Sequence, residues 1–380
     1  MEQKRLGDLA TYINGYAFKP EDRGKEGLPI IRIQDLTGNT YDLGFYNGDY
    51  PEKIEINDGD ILISWSASLG VYIWNRGKAL LNQHIFKVVF DKEEVNKQYF
   101  VFAVKYNLKE MGTKAHGATM KHIVKKDFDN TLVPFPTIEK QDVIAEILSK
   151  AAYIVDARKQ ELQKLDDLIR ARFVEFFGDP VANDKGWDTE ICRNLMSKIG
   201  SGATPKGGKE SYCDEGISLI RSMNVYNNRF EYKDLAHITD EQAEQLNNVT
   251  IEKKDILLNI TGASVARCCI VPDDLLPARV NQHVSILRCK ERVLPDFVCN
   301  MFTEHNYQGL LWNVATAGGA TREAITKQQI EELILIIPPI DLQKQFVAFV
   351  AQTNKSKAAV QKALDQTQLL FDSLMQEYFG

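Results

Sequence analysis

Two kinds of hydrophobic pattern follow each other along the chain. Short apolar runs, such as "DILIS" at 60–64 and "HIFKVVF" at 84–90, are typical of β-strands. After Pro136 the composition changes to Ala, Leu, Lys, Glu and Gln, and no proline or glycine occurs until Gly178. Proline at the start and glycine at the end favour a helix of about forty residues.

Apolar residues recur within this stretch at alternating steps of four and three, which is the spacing of a coiled-coil seam. Arg158 and Arg172 interrupt that seam. A second stretch after Pro338 has the same spacing, weakened by Thr353, Lys357 and Thr367. The predicted seam residues are Ile144, Leu148, Ala151, Val155, Leu162, Leu165 and Ile169 in the first stretch, and Phe346, Val350, Val360, Leu364, Phe371 and Leu374 in the second.

An internal repeat relates the two stretches. The chain reads "GATMKHI" at 117–123 and "GATREAI" at 319–325, and residues 117–178 align with 319–380 without a gap. Upstream, "IIRIQDL", "GDILIS" and "NQHI" in the first half are followed in the same order by "LIRSMNV", "KDILLN" and "NQHV" in the second. The chain therefore contains two homologous halves, each a globular segment followed by a long helix.

An isolated amphipathic helix cannot hide its apolar stripe, so the two helices are expected to pack against each other. A pseudo-twofold repeat sets them antiparallel, as a rod of roughly 60 Å. The predicted fold class is α+β, with homologous globular domains at 1–136 and 179–338 separated by two antiparallel coiled-coil helices at 137–178 and 339–380. Two similar globular domains at such a separation would suit the recognition of two half-sites that lie one to two helical turns apart on DNA. A structural scaffold without nucleic acid fits this geometry equally well.

Composition narrows the class of protein. The 380 residues, 44% hydrophobic and 26% charged, suffice for two or three domains with ordinary cores. No signal peptide or membrane-spanning stretch is recognised, which predicts a cytoplasmic protein without a membrane partner. The six cysteines lack the paired spacing of a zinc site and are expected to be reduced core thiols. The net charge of -6 argues against binding nucleic acid through bulk charge.

The candidate DNA contacts are side chains suited to base edges or phosphates. A basic run at 105–126 suits a solvated face and a phosphate-contacting edge equally, and for the arginines internal ion pairing is the competing interpretation. His84 and His283, in the repeated "NQH", favour structural roles. The candidates are Arg32, Gln34, Ser64, Ser66, Lys114 and Lys121 in the first half, and Thr204, Lys206, Arg221, Asn224, Thr261, Arg267 and Arg322 in the second.

No catalytic site or metal site is predicted. "IIPPI" at 336–340 is similar to the signature of amino-DNA methyltransferases, but Ile337 replaces the polar residue and Ile340 replaces the stacking aromatic. No S-adenosylmethionine loop or phosphate-binding loop is found. Catalysis, if any, is expected in partner proteins.

The order and duplication of these motifs carry a resemblance along nearly the whole chain. With "GYAFKPEDRGKEGLPIIRIQDLTGN", the two "NQH" segments and the helix ends "ARFVEFFGDP" and "SLMQEYFG", the chain resembles the specificity subunit of type I restriction-modification systems. The resemblance implies two target-recognition domains, each reading half of a bipartite asymmetric site in double-stranded DNA. It implies helices that set the spacer and dock two methyltransferase subunits, with restriction/translocase subunits as further partners.

The same resemblance implies a non-catalytic chain without a cofactor, since S-adenosylmethionine is expected in the partner subunits. A protein-interaction scaffold or inhibitor that uses the coiled coil without DNA is the alternative. A stand-alone restriction or modification enzyme is disfavoured because no site for it is found in the sequence.

Overall fold

The computed structural model describes residues 2–40, 42–114, 123–205, 207–317 and 323–380; the side chains of 112–114 and 209 lie outside the description. Its contacts divide the chain into two compact units. Unit 1 comprises Met1–Gln160 and Gln361–Gly380, and unit 2 comprises Glu161–Val360. Each long helix therefore begins in one unit and ends in the other.

Unit 1 is built from short strands, three short helices and one helix of 18 residues, Lys97–Lys114. Its strands are β1 (Gln3–Arg5), β2 (Thr11–Asn14), β3 (Leu28–Ile31), β4 (Phe45–Tyr46), β5 (Glu55–Ile56), β6 (Ile61–Ser64), β7 (Gly70–Ile73), β8 (Ala79–Leu81), β9 (Ile85–Val89) and β10 (Leu132–Pro134). Its helices are α1 (Leu6–Leu9), α2 (Ile33–Leu36), α3 (Lys97–Lys114), α4 (Lys125–Asp129), the first part of α5 (Ile138–Phe177) and the last part of the second long helix, Ile340–Phe379.

Unit 2 repeats the pattern with longer connections. Its strands are β11 (Asp188–Ile191), β12 (Met196–Ser201), β13 (Ile217–Ile220), β14 (Val225–Tyr226), β15 (Arg229–Phe230), β16 (Ala236–Ile238), β17 (Ile256–Asn259), β18 (Cys268–Ile270), β19 (Ala278–Val280), β20 (Val284–Cys289) and β21 (Ile334–Ile337). Its helices are the last part of α5, α6 (Cys192–Leu195), α7 (Asp240–Gln245), α8 (Pro295–Phe302), α9 (His305–Thr316), α10 (Lys327–Glu331) and the first part of α11 (Ile340–Phe379).

The main elements of the sheet topology are shared by both units, whereas, among the described residues, the second sheet has four strands in unit 1 and three in unit 2, and unit 2 adds the β14-β15 hairpin. An antiparallel sheet has the order β2-β9-β6-β7 in unit 1 and β12-β20-β17-β18 in unit 2. A second sheet contains a parallel pair, β3 with β8 in unit 1 and β13 with β19 in unit 2. A two-stranded ribbon, β1-β10 or β11-β21, precedes each long helix. The repeat predicted from the sequence is therefore also a repeat of topology.

The central strand of each unit is buried on both faces. In β6, Ile61 and Ile63 pack with α3, while Leu62 between them packs with the second sheet. In β17, Leu258 packs with α8 and Leu257 with the second sheet. Because successive side chains point to opposite faces, a strand between two cores reads as an unbroken apolar run. This explains "DILIS" and "KDILLN".

The long helices are antiparallel. In unit 1 the beginning of α5, at Ile144 and Leu148, shares a core with Phe371 near the end of α11. In unit 2 the end of α5, at Phe173, shares a core with Phe346 at the beginning of α11. Each unit thus joins the start of one helix to the end of the other, as predicted.

Most of the predicted seam is buried, and its phase changes towards the helix ends. After Ile169 the next buried positions of α5 are Phe173 and Phe177, in steps of four, and after Phe371 those of α11 are Met375 and Phe379. The cause is that each last turn packs against a globular core rather than against the other helix alone. Among the seam residues Ala151, Val155, Val350, Val360 and Leu364 are buried, and Leu162, Leu165 and Leu374 are half-buried.

The polar interruptions of the seam are partnered. Lys357 forms an ion pair with Asp166. Arg172 bonds Glu175 at 2.7 Å, and its guanidinium lies 4.9 Å from the ring centroid of Phe176. Thr353 is buried and donates its hydroxyl to the Phe349 carbonyl at 3.0 Å.

The predicted fold class, α+β with two homologous globular parts and two long antiparallel helices, is confirmed. The sequence-based division at 136, 178 and 338 stays a prediction, because the contacts assign parts of each helix to both units. All six cysteines are free, and four of them are buried. Burial raises the pKa of the Cys192 thiol to about 12.

Candidate nucleic-acid interface

Three segments meet beyond the end of the central strand in each unit: the loop after that strand, the "NQH" turn, and the residues that follow the "GAT" motif. In unit 1, Trp65 N–H donates to the His84 carbonyl at 3.3 Å, and Ile123 N–H donates to the Trp65 carbonyl at 2.9 Å. In unit 2, Ile260 N–H donates to the His283 carbonyl at 3.0 Å, and Ile325 N–H donates to the Ile260 carbonyl at 2.8 Å. The repeated motifs therefore build one equivalent junction in each unit.

Backbone geometry explains some residue choices at this junction. Gly262 has a φ of 68°, and Ala67 at the equivalent place in unit 1 has a φ of 57°, a region that favours glycine. Gly15 and Gly202 approach the chain at the "NQH" turn. A Cβ on Gly15 would lie 2.1 Å from the Asn82 carbonyl oxygen, and one on Gly202 would lie 1.7 Å from the Val280 carbonyl oxygen. Only glycine allows this approach.

An open groove of about 850 Å³ lies at the junction of unit 2. It brings together two predicted contacts, Thr261 and Arg267, with His283. Thr261 Oγ1 and His283 Nδ1 share a hydrogen bond of 2.6 Å. The other lining residues are Ser222, Met223, Tyr226, Gly262, Ala263, Ser264, Glu323 and Ala324.

Two arginines of unit 2 lie against one tyrosine ring. The guanidinium carbons of Arg229 and Arg267 are each 4.8 Å from the centroid of the Tyr226 ring. Tyr226 and Arg229 face each other in the β14-β15 hairpin, whose turn residue Asn228 has a φ of 53°. The loop after β17 thus meets this hairpin at the groove.

Arg32 and Arg221 are held by internal contacts. Arg32 donates its backbone N–H to Asp35 Oδ2 at 2.8 Å and its Nε to the same oxygen at 3.3 Å. Its terminal nitrogen reaches the Asp42 carbonyl. In unit 2, Arg221 donates its backbone N–H to Asn224 Oδ1 at 3.1 Å, and its guanidinium reaches the Asp234 carbonyl. These contacts correspond to the internal pairing that competes with DNA contact.

The structure corrects the prediction at three candidates. Asn224 is fully buried, and its amide donates to the Glu231 carbonyl at 2.9 Å, so it fixes a turn and is closed to DNA. Ser64 is fully buried and donates to the Ser68 carbonyl at 2.5 Å. Ser66 is 6% exposed. A phosphate or base has no access to these side chains unless the loops open.

The remaining candidates divide into two groups. Gln34 is half-buried in α2, and Thr204 bonds Gln282 through its hydroxyl. Lys121, Lys206 and Arg322 lie outside the described residues, as does the side chain of Lys114. Within the described ranges no group of three or more His, Cys, Asp or Glu side chains is placed to hold a metal. No described helix is both long and apolar enough to cross a bilayer.

Comparison with known proteins identifies the family. The profile of the type I restriction modification DNA specificity domain matches residues 1–166 and 193–367. The chain belongs to this family. One matched segment lies in each of the two homologous halves. The chain therefore carries two specificity domains, as the resemblance implied.

Relatives of these specificity domains match over most of their own length. The EcoBI specificity subunit of Escherichia coli is 24% identical over 98% of this chain and 83% of the relative. A putative type I specificity subunit, MjaX of Methanocaldococcus jannaschii, is 26% identical over 90% of this chain and 84% of the relative. Among solved structures, the type I restriction-modification S subunit of M. genitalium superposes with a TM-score of 0.57 at 14% identity, covering 100% of this chain and 96% of the other. That likeness shows a shared fold.

Sequence reasoning missed Tyr226, which lines the groove of the second specificity domain, and Arg229, which lies against the same ring. The signal was present in "VYNNRF" at 225–230, because two asparagines between the strand-forming pairs Val-Tyr and Arg-Phe are typical of a tight hairpin. Such a hairpin places the residues on either side of the turn opposite each other. The contact of Arg267 with the same ring could not be predicted from the sequence, because it depends on the packing of β18 beside β14.

Proposed function

We propose that this chain is the DNA sequence-recognition subunit of a type I restriction-modification enzyme. Unit 1 reads one half of a bipartite asymmetric site, and unit 2 reads the other half. The observation that carries the proposal is the duplicated junction, which has equivalent backbone contacts in both units but different side chains. A common scaffold with different side chains is what the recognition of two different half-sites requires.

The side-chain differences follow from the aligned repeats. Ser64, the last residue of β6, and Asn259, the last residue of β17, are aligned positions. Ser64 pairs with Gly70, and the Asn259 N–H donates to the Arg267 carbonyl. Gly70 and Arg267 are therefore equivalent positions. In the aligned "IIRIQDL" and "LIRSMNV" segments the next residues are Thr37 and Tyr226. Unit 1 therefore has a glycine and a threonine where unit 2 has an arginine and a tyrosine.

The long helices are proposed to set the spacer and to dock two methyltransferase subunits. Support comes from apolar residues on outward faces of α5 and α11 in unit 1. Tyr153 is 74% exposed and Leu369 is 69% exposed, and Val143, Ile154 and Leu370 are also exposed. An exposed apolar surface on a helix marks a protein interaction site.

The proposal assigns recognition to this chain and chemistry to its partners. Methyl transfer from S-adenosylmethionine belongs to the methyltransferase subunits, and cleavage belongs to restriction/translocase subunits. At the "IIPPI" segment, Ile337 ends β21 and Ile340 begins α11, so apolar side chains occupy the positions that a methyltransferase signature would use. The chain is proposed to act without a cofactor of its own, in the cytoplasm.

The test is to produce the chain with its partner methyltransferase subunits and to sequence the methylated positions of the host genome. We expect one bipartite motif, of which one half changes when unit 1 is exchanged and the other when unit 2 is exchanged. Band-shift assays should show specific binding to duplex in the complex and weak binding by the chain alone. An unchanged motif after both exchanges would favour the scaffold or inhibitor alternative.

A further inference from the structure

The two arginines that flank Tyr226 differ in what else they contact. Arg229 is exposed and has an ion-pair partner, Glu231, at 3.6 Å. Arg267 is half-buried, lines the groove, and lies against the ring. Within the ranges that the structure describes, no hydrogen bond or ion pair reaches its guanidinium. Tyr226 therefore holds the Arg267 guanidinium against its ring and leaves the N–H donors free for a ligand.

This arrangement suits one kind of ligand. A guanidinium presents N–H donors in a rigid fork, and stacking on an aromatic face limits its rotation. The O6 and N7 acceptors of guanine accept two such donors side by side in the major groove, which is the commonest specific contact of arginine with DNA. A phosphate can accept the same two donors, but it carries no sequence information. The glycine at the equivalent place in unit 1, Gly70, favours a contact that differs between the half-sites, which a base provides.

We propose that Arg267 is a specificity-determining residue that reads a guanine in the half-site of unit 2, with Tyr226 as its positioning residue. The inference rests on the proposed function and deepens it. Because Gly70 stands at the equivalent place in unit 1, the other half-site is read without this contact. The two units thus differ in at least one base that they select.

The experiment uses the chain assembled with its methyltransferase subunits and a set of duplexes in which each position of the methylated motif is varied. The variants are Arg267→Ala, Arg267→Lys and Tyr226→Leu. Arg292→Ala is the matched control, since Arg292 is an exposed arginine of unit 2 that pairs with Glu190 at 3.6 Å outside the groove. Discrimination at each position is measured as a ratio of methylation rates, and the slope of affinity against salt is measured in parallel.

For Arg267→Ala we expect roughly tenfold to a hundredfold loss of discrimination at one guanine, in the half-site that changes when unit 2 is exchanged. Arg267→Lys should lose a similar factor, because an ammonium group cannot bond both acceptors in a fixed plane. Tyr226→Leu should weaken the same position by a smaller factor. The half-site of unit 1 should keep full discrimination in every variant, which shows that the protein is folded.

Three results would overturn the inference. The first is unchanged discrimination in Arg267→Ala. The second is uniform weakening at all sequences with a salt slope reduced by about one, which is the signature of a phosphate contact. The third is loss of both half-sites together, which would indicate a structural role. If the unaltered complex yields no bipartite motif, the proposed function fails as well, and this outcome is distinct from the other three.

Discussion

Thr261 and His283 are joined by a 2.6 Å hydrogen bond between Oγ1 and Nδ1, which ties the loop after β17 to the turn before β20. Thr261→Val keeps the shape of the side chain and removes the hydroxyl. Since His283 Nδ1 then loses its partner, we expect the unfolding free energy of unit 2 in urea to fall by about 1–3 kcal/mol.

The matched control is Thr316→Val in α9, whose exposed hydroxyl bonds the carbonyl of Trp312 within the same helix. Because that position is exposed, the control should change stability by no more than about 0.5 kcal/mol. An equal loss of unfolding free energy in both variants would contradict a stabilising role for the hydrogen bond of Thr261.

The contact of Gly202 with the "NQH" region predicts a steric effect. Gly202→Ala would bring its Cβ to 1.7 Å from the Val280 carbonyl oxygen, so the backbone must shift. We expect a loss of about 1–3 kcal/mol or more in the unfolding free energy of unit 2. Gly200→Ala, two residues earlier, meets no atom within 4 Å and should be nearly neutral. A thermal melt of both variants checks the prediction, and a neutral Gly202→Ala would contradict it.

The helix core of unit 2 depends on aromatic contacts. Phe173 and Phe346 are buried, with ring centroids 5.5 Å apart in an edge-to-face arrangement. Phe346→Ala should cost about 3–5 kcal/mol of unfolding free energy, because the surrounding core closes only partly. Val174→Ala, on the exposed face of α5, should cost about 0.5 kcal/mol or less. Urea unfolding followed by fluorescence measures both, and a similar small loss in the two variants would contradict the burial described.

Thiol reactivity should report the burial of the cysteines. Burial raises the pKa of Cys192 to about 12, and it also raises the pKa of the Cys269 thiol. The pKa of the Cys299 thiol is also raised, mainly by a hydrogen bond with Cys268 and to a smaller extent by burial. Few of these thiols are thiolates at neutral pH, and the thiolate is the reactive form.

Cys213 and Cys289 are half-buried, and burial raises the pKa of the Cys289 thiol. We therefore expect Cys213 to react first with a thiol reagent in the native protein, and all six cysteines to react in denaturant. Cys213→Ser should remove the fast phase. Several thiols that react at the same rate before unfolding would show that the core opens readily.

The spacer prediction follows from the proposed function. Inserting one heptad after Leu165 in α5 and another after Lys357 in α11 keeps the seam in register, because Lys357 pairs with Asp166. The added length is about 10 Å, or about three base pairs. Methylome sequencing should show a longer gap with both half-sites unchanged. An altered half-site would argue against a ruler role for the helices.

Local pattern and internal duplication can be recognised from the amino-acid sequence without coordinates, and the features that depend on them were predictable. The 3.5-residue spacing of apolar positions such as Leu148 and Val155 predicts a seam, because any helix with that spacing must cover the stripe. The gapless repeat predicts two similar units, since homologous segments fold alike. The unbroken apolar run of β6 predicts a strand, and the structure adds that two cores enclose it.

The accessibility of polar side chains could not be predicted from the sequence, because it depends on the packing of distant segments. Asn224 and Arg267 are both residues suited to reading bases, yet one is closed inside a turn and the other lies in a groove. Burial and orientation depend on neighbours distant in sequence, such as the hairpin that brings Tyr226 to Arg267. The change of seam phase at Phe173 has the same origin, because the face that is buried at the end of a helix is the face that contacts the globular core.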